Sequence, residues 1–311
     1  MRKRPESRTK QGKCCPARSI KKSAPKPKSK SNAKSKPKPI RDFSSKTAKP
    51  NPKREPKPQK QKAPRLEGTV LWGLHAVAEA WLNPNRKCLS LRVSDGGLTA
   101  LQDTLQKAES LGLSRPEYQI TDRAEIDTFL PRGTVHQGIL LETKTLPPVT
   151  LDDLLGQEET PSLVVLLDQV TDPHNVGAVL RSAAALGADA VIVTERKAPQ
   201  TTGILAKTAC GAVEHIPLIP VVNLTRAIKA LQGESFWCIG LAEEGKSDLA
   251  SCTLSSGKIA LVLGAEGDGL RRLTREHCDE LVHLPTQGPI GSLNVSNAAA
   301  VALYEVKRQK S

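Results

Sequence analysis

Residues Leu163-Val164-Val165-Leu166-Leu167 form an unbroken apolar run. A strand of that kind is stable only where both of its faces are covered, as in a parallel sheet with helices on each side. Downstream, Asp172 or Asn175 suits the N-cap of a helix reaching Ala185, with Gly187 as its stop. Ala190–Val193 is then the next strand, and the three segments make a βαβ unit. Further strands are expected at Glu214–Leu218, Ser235–Leu241, Ile259–Leu263 and Glu280–Leu284, with a last helix from near Asn294 to about Arg308. That helix carries small or apolar residues on nearly every side of its first turns and is expected to be buried. Six strands with intervening helices describe a mostly parallel α/β domain over residues 161–311. With only 3 Phe, 2 Tyr and 3 Trp in 311 residues, its core must be built from Ala, Val, Leu and Ile.

A second, smaller α/β domain is expected over residues 69–146. Its pattern reads as helices at His75–Trp81, Leu98–Leu111 and Asp122–Leu130, with strands at Cys88–Val93, Glu117–Ile120 and Gly138–Glu142. Thr145-Leu146-Pro147-Pro148 then reads as a linker, because proline disfavours any regular element there. Residues 1–65 are Lys, Pro and Ser with few apolar side chains and are expected to be a disordered basic arm. The net charge of +14 belongs to that arm: it holds 24 Lys and Arg against 3 Asp and Glu, or +21, whereas the remaining residues hold 22 against 29, or −7. RNA binding is favoured for the arm over a solubilising tail or a targeting peptide, since it is Lys-rich, Pro-broken and without an apolar face. The charge says nothing of what the globular part binds. The 7 cysteines show no CxxC spacing and no Cys/His grid, so they read as reduced thiols with no metal. No stretch of 18 apolar residues and no secretory signal is visible, and a cytoplasmic protein without a membrane partner is expected. No internal repeat is found.

Three stretches stand out for chemistry. The first, Asp172-Pro173-His174-Asn175-Val176-Gly177-Ala178-Val179-Leu180-Arg181, follows the apolar strand at its carboxyl end, where open parallel sheets bind ligands. Asn175 and Arg181 are six apart, about 240° beyond a full turn, so they do not share a helix stripe. From spacing alone the plainer account is favoured, with Asn175 a cap and Arg181 a solvated charge. In the second, Leu263-Gly264-Ala265-Glu266-Gly267-Asp268-Gly269-Leu270, three glycines let a backbone approach a ligand closely. A structural turn is the alternative, but a carboxylate enclosed by such a loop favours ligand contact. A nicotinamide site fits poorly, because Arg271-Arg272-Leu273-Thr274-Arg275 follows instead of a small-residue helix. The third runs from Leu284 to Asn297 and gathers Ser292, Asn294, Ser296 and Asn297 at the start of the last helix. One cap needs one residue; four suggest a lined site.

These stretches resemble the three signature motifs of the SpoU, or tRNA/rRNA 2′-O-ribose methyltransferase, family: Asn-x-Gly-x-x-x-Arg, Gly-x-Glu-Gly-x-Gly and Ser-Leu-Asn-Val-Ser. Gly264–Leu281 is closely similar to the branch that methylates a guanosine in large-subunit rRNA, and Trp72–Val77 with Val135–Gly138 resembles that branch's N-terminal domain. The resemblance covers roughly residues 69–308. It implies a trefoil-knotted, parallel-sheet domain of SPOUT type, preceded by a small ribosomal-protein-like α/β domain that binds the RNA. It also implies S-adenosyl-L-methionine as methyl donor, no metal, large-subunit rRNA as partner, and a homodimer. Carried over by motif position, Asn175, Arg181, Glu266, Ser292 and Asn294 would line the reacting centre, and Leu263, Gly264, Glu266, Gly267, Leu284 and Leu293 would hold the cofactor. The family's proposed base is the arginine at position 181, yet a guanidinium has no free acceptor and a pKa above about 12. The expectation is therefore that Arg181, oriented by Glu266 and Asn175, positions a phosphate and stabilises the developing alkoxide, while that phosphate or a water takes the proton. Ser292 and Asn294 would fix the ribose or the loop. A tRNA ribose methyltransferase and a non-catalytic RNA-binding protein are the alternatives. Thr286 stands where methionine is common, and Asn297 where a small apolar residue is common.

Overall fold

The computed structural model describes residues 66, 68–158, 161–197, 203–252, 257–289 and 291–310; the arm expected over residues 1–65 lies outside the described residues. The chain first builds β1 (Thr69–Trp72), α1 (Leu74–Leu82), β2 (Cys88–Val93), α2 (Asp95–Ser110), β3 (Tyr118–Ile120), α3 (Arg123–Phe129) and β4 (Ile139–Thr143). The strands form one four-stranded sheet in the order β1-β4-β2-β3, in which β4 pairs antiparallel with both β1 and β2, and β3 lies parallel to β2. Every residue of β4 is buried. Ser94 caps α2 by accepting from the Gly97 N–H at 3.2 Å.

After α4 (Leu151–Leu155), a larger sheet is built from β5 (Leu163–Asp168), α5 (Pro173–Ala185), β6 (Ala190–Thr194), α6 (Gly203–Thr208), β7 (Leu218–Val221), α7 (Leu224–Gly233), β8 (Trp237–Leu241), β9 (Ser247–Asp248), β10 (Ile259–Gly264), α8 (Arg272–His277), β11 (Glu280–His283) and α9 (Val295–Lys310). Among the described residues this sheet has seven strands in the order β7-β6-β5-β10-β8-β11-β9, and every neighbouring pair is parallel. The apolar run in β5 splits by the two-residue period of a strand. Leu163, Val165 and Leu167 enter one apolar layer with α5 and α9, and Val164 and Leu166 enter the other with α7. β10 divides in the same way, with Ile259, Leu261 and Leu263 on one side and Ala260 and Val262 on the other. The continuous apolar pattern thus has its physical cause in two covered faces.

Two sequence-based expectations change. The strand placed at Glu214–Leu218 begins only at Leu218; Ala212–Glu214 is a 3-10 turn, because the Glu214 carboxylate is buried against Arg86 instead of pairing in the sheet. The linker read at Thr145-Leu146-Pro147-Pro148 carries no helix or strand; just beyond it lies α4, which the sequence reading did not place, started by a capping box in which the Asp153 N–H donates to Thr150 Oγ1 at 3.1 Å and the Thr150 N–H to the Asp153 carboxylate at 2.9 Å. The last helix buries one stripe only, Val295, Ala299, Ala302, Leu303 and Val306, while Val301 and Tyr304 stand exposed, so its small residues serve close packing against α5 on one face. Also absent from the sequence reading are β1, the short strand β9, and helices α6, α7 and α8; α7 is amphipathic, burying Leu224, Ala227, Ile228 and Leu231.

Candidate active site

Because the strands of the large sheet run parallel, the loops that follow β5, β10 and β11 leave at one edge. They are the three stretches singled out in the sequence. In the first, Asp172 caps α5: its Oδ1 accepts from the His174 N–H at 3.0 Å, and Pro173 occupies the first turn, where no N–H is needed. Capping by Asp172 leaves the Asn175 side chain free for other use. In the second, Gly264 must be glycine because a Cβ there would come within 2.1 Å of the Gly269 main chain, which folds back to form a bridge between Ala265 and Gly269. Gly267 at φ 82° and Gly269 at φ 62° complete the turn in the left-handed region. In the third, Asn294 precedes α9 and its Oδ1 accepts from the Ser296 N–H at 2.9 Å and the Ser296 hydroxyl at 2.5 Å.

The three stretches converge on one carboxylate oxygen. Glu266 Oε1 accepts from Asn175 Nδ2 at 3.2 Å, from Asn294 Nδ2, and from the Val295 N–H at 3.4 Å. Asn294 Nδ2 also donates to Asn175 Oδ1 at 3.1 Å. Glu266 is not enclosed by its loop, as the sequence reading had it; it is exposed, and so is Asn294, while Asn175 is half-buried. Asn294 therefore caps α9 with its oxygen and binds the other two loops with its nitrogen. Arg181 stands exposed on α5 and Ser292 exposed in the last loop, and among the described residues neither has a hydrogen bond or ion pair.

A second tie, which sequence reasoning missed, lies beneath the first. Asp168 ends β5, is fully buried, and accepts from Arg271 twice, from the main-chain N–H at 3.0 Å and from Nε at 2.7 Å. Asp168 precedes the first loop and Arg271 ends the second, so the pair clamps the two together. The visible signal was an acidic residue closing an otherwise apolar strand.

Beside the glycine loop opens a cleft of about 660 Å³, within the range of small-molecule sites. Leu263, Gly264, Glu266, Gly267, Leu284 and Leu293 all line it. So do Glu243, Glu244, Asp268, Arg275 and His283. Glu244 pairs with Arg275, and a hydrogen bond from its own backbone N–H, together with that guanidinium, holds its carboxyl below the usual range. With four carboxylates against one guanidinium, the lining favours a cationic ligand. The walls combine apolar Leu side chains with polar backbone at a glycine turn. Among the described residues no group of three or more His, Cys, Asp or Glu is arranged to hold a metal, and no helix is long and apolar enough to cross a membrane.

An α/β domain whose cleft lies beyond the carboxyl ends of parallel strands, lined by the second and third motifs and tied to the first through Asn175, defines a class, and comparison with known proteins agrees. Residues 162–304 match the SpoU rRNA Methylase family and residues 70–149 match the RNA 2′-O ribose methyltransferase substrate binding domain. The chain belongs to the SpoU family. It is 44% identical over 248 residues to the 23S rRNA (guanosine-2′-O-)-methyltransferase RlmB of Haemophilus ducreyi, covering 77% of this chain and 97% of that one. It is 43% identical over 249 residues to the RlmB of Photorhabdus laumondii, covering 78% and 98%. Among solved structures, the SpoU methyltransferase AviRb from Streptomyces viridochromogenes, in complex with the cofactor AdoMet, has the same fold, with a TM-score of 0.63 at 24% identity over 78% of this chain and 89% of that one.

Proposed function

We propose that the protein transfers the methyl group of S-adenosyl-L-methionine to the ribose 2′-oxygen of a guanosine in large-subunit, 23S-type rRNA. The observation that carries this reading is the meeting of Asn175, Asn294 and the Val295 N–H at Glu266 Oε1, on the rim of a cleft whose acidic, glycine-turned wall suits a sulfonium nucleoside. The RlmB relatives, similar along nearly their whole length, support the rRNA guanosine as substrate. The same family membership supports a trefoil knot in the large domain, a homodimer and a cytoplasmic location. The division into an RNA-binding domain over residues 69–146 and a methyltransferase domain over 161–311 is supported by the two separate sheets, and the basic arm at 1–65 by its composition.

In this reading Leu263, Gly264, Glu266, Gly267, Leu284 and Leu293 hold the cofactor. When bound, it supplies an already activated methyl group, so the protein's tasks are alignment and removal of the 2′-hydroxyl proton. Holding two reactants in line contributes about 7–11 kcal/mol in favourable cases. Asn175, Glu266 and Asn294 keep the three loops in one arrangement around that line. Arg181, exposed and unpaired among the described residues, is free to meet RNA. Its guanidinium offers donors and no acceptor, so it stabilises the developing alkoxide and holds the neighbouring phosphate, which or a water takes the proton. Ser292 contributes a hydroxyl to the ribose side. The 2′-oxygen as acceptor restricts the substrate to RNA.

The test is transfer of labelled methyl from S-adenosyl-L-methionine by the full chain to unmodified 23S rRNA, with nucleoside analysis. The expected product is 2′-O-methylguanosine. Transfer only to tRNA, or to a base, would overturn the substrate or the reaction. A pH–rate profile of Arg181→Lys tests the arginine's role: activity retained with an apparent pKa moved toward lysine's would make residue 181 the base.

A further inference from the structure

The small sheet and the large sheet are joined by an ion pair that is removed from water at both ends. The side chains of Arg86, in the loop between α1 and β2, and Glu214, in the turn after α6, are 2% and 1% exposed. Arg86 Nη2 donates to Glu214 Oε1 at 2.5 Å and Arg86 Nε to Oε2 at 3.1 Å. Asn83 Nδ2 donates to the same Oε2 at 2.8 Å, and Arg86 Nη1 to the Lys144 carbonyl at 3.0 Å. Both carboxylate oxygens and all three types of guanidinium nitrogen are satisfied. Nearby, two glycines of the large domain admit the small one: a Cβ on Gly203 would come within 1.9 Å of the Trp72 ring, and one on Gly211 within 2.5 Å of the Glu79 side chain.

A buried ion pair is a poor source of stability, since the desolvation of two charges offsets their attraction, and an apolar pair of similar volume generally does as well or better. What it supplies is intolerance of any other arrangement. If the two sheets slid or rotated against one another, a buried carboxylate would lose its counter-charge. Glu214 is also mechanically close to the site. It follows α6, which packs on α5 so tightly that a Cβ on Gly177 would meet the Thr208 side chain at 2.8 Å. Thr208 Oγ1 lies 3.4 Å from Nδ1 of His174, the neighbour of Asn175.

We propose that Arg86 and Glu214 are positioning residues that hold the RNA-binding sheet at one distance and orientation from the Asn175–Glu266–Asn294 cluster, so that bound rRNA presents a single ribose. This rests on the function proposed above. The pair acts on where the methyl is placed, not on whether the cofactor binds, since it lies outside the cofactor cleft.

The test compares the full-length protein with the apolar replacement R86M/E214L and with R86Q/E214Q, which removes both charges together and keeps polar side chains. Three quantities are measured: S-adenosyl-L-methionine affinity, kcat/KM on 23S rRNA with nucleotide-resolution mapping, and single-molecule energy transfer between dyes on non-natural residues at the exposed positions Leu111 and Leu273. For R86M/E214L the expected result is cofactor affinity within about twofold of the parent, kcat/KM at least roughly tenfold lower, methyl groups at neighbouring riboses, and a broadened transfer distribution. R86Q/E214Q should move the same way by less, and it serves if the apolar variant folds poorly. Full kcat/KM at a single nucleotide in R86M/E214L, or a loss of rate matched by an equal loss of cofactor affinity, would overturn the proposal. If the parent itself transfers no methyl, the functional reading fails. The dye distribution still decides whether the pair locks the sheets, and an unbroadened one sinks the lock.

Discussion

The clamp between Asp168 and Arg271 makes an asymmetric prediction. The carboxylate is fully buried, whereas the guanidinium is 48% exposed. Arg271→Met leaves a buried charge without its counter-ion, a change that costs about 3–5 kcal/mol in general. The main-chain N–H of residue 271 continues to donate, so the lower end, about 3 kcal/mol, applies. Asp168→Asn leaves no buried charge, the amide oxygen still accepts from that N–H, and the released guanidinium is hydrated; the loss is about 1 kcal/mol. In a chain with this much folded mass, 1 kcal/mol shifts the midpoint by roughly 2–4 °C, so the two variants should melt roughly 6–12 °C and 2–4 °C below the parent. The double variant is the sharper measurement: D168N/R271M should melt above R271M alone, because the second substitution removes the stranded charge. Calorimetry of the three variants decides the matter. Equal losses for the single variants, or a double variant that is the least stable of all, would refute the assignment of the cost to a buried carboxylate.

Glu266→Ala should reduce kcat/KM at least a hundredfold while the melting midpoint falls by no more than about 4 °C, since Glu266 and Asn294 stand exposed at the rim, where water replaces the lost carboxylate. Gly264→Ala should abolish measurable S-adenosyl-L-methionine binding by calorimetric titration, because the glycine loop has to open to admit the methyl. In the parent protein, the cofactor at a hundred times its dissociation constant should raise the midpoint by roughly 5–10 °C, from about 2.7 kcal/mol of linked binding. Burial raises the Cys278 thiol to about 12, with Asp279 and Asp168 adding to the effect; burial and the Glu280 carboxylate raise the Cys252 thiol to about 11. Both groups are raised, so at pH 8 they remain neutral thiols. Mass-resolved alkylation at that pH should leave them unmodified in the folded chain and label them after denaturation.

Much of the fold was legible because its periods are strong. β2 coincides with the expected Cys88–Val93, and β5, α5 and β6 fall within a residue or two of their expected bounds. The segments that escaped are short or lean on tertiary contacts. β1 is four residues whose partner, β4, lies some seventy residues away, and α6 gains its place from Trp72 and α5. Glu214 misled a period argument because its role is set by Arg86, 128 residues distant. At the site, the motif stretches named Asn175, Glu266 and Asn294, and they meet. Local spacing alone favoured Asn175 as a cap, and the structure gives that task to Asp172. Spacing carried no information on Asp168 and Arg271, whose partnership spans 103 residues. Nor did it show that the Arg181 side chain would face solvent with no bond to the other motif residues among those described.

The central claim is a methyl group on one ribose oxygen of rRNA. It is tested most directly by nucleotide-resolution mapping of 2′-O-methylation in large-subunit rRNA from cells with and without the gene. The account predicts one guanosine that loses its 2′-O-methyl in the deletion strain and regains it on complementation with the parent chain but not with Glu266→Ala. An unchanged rRNA map, or a methyl lost instead from tRNA, would contradict it.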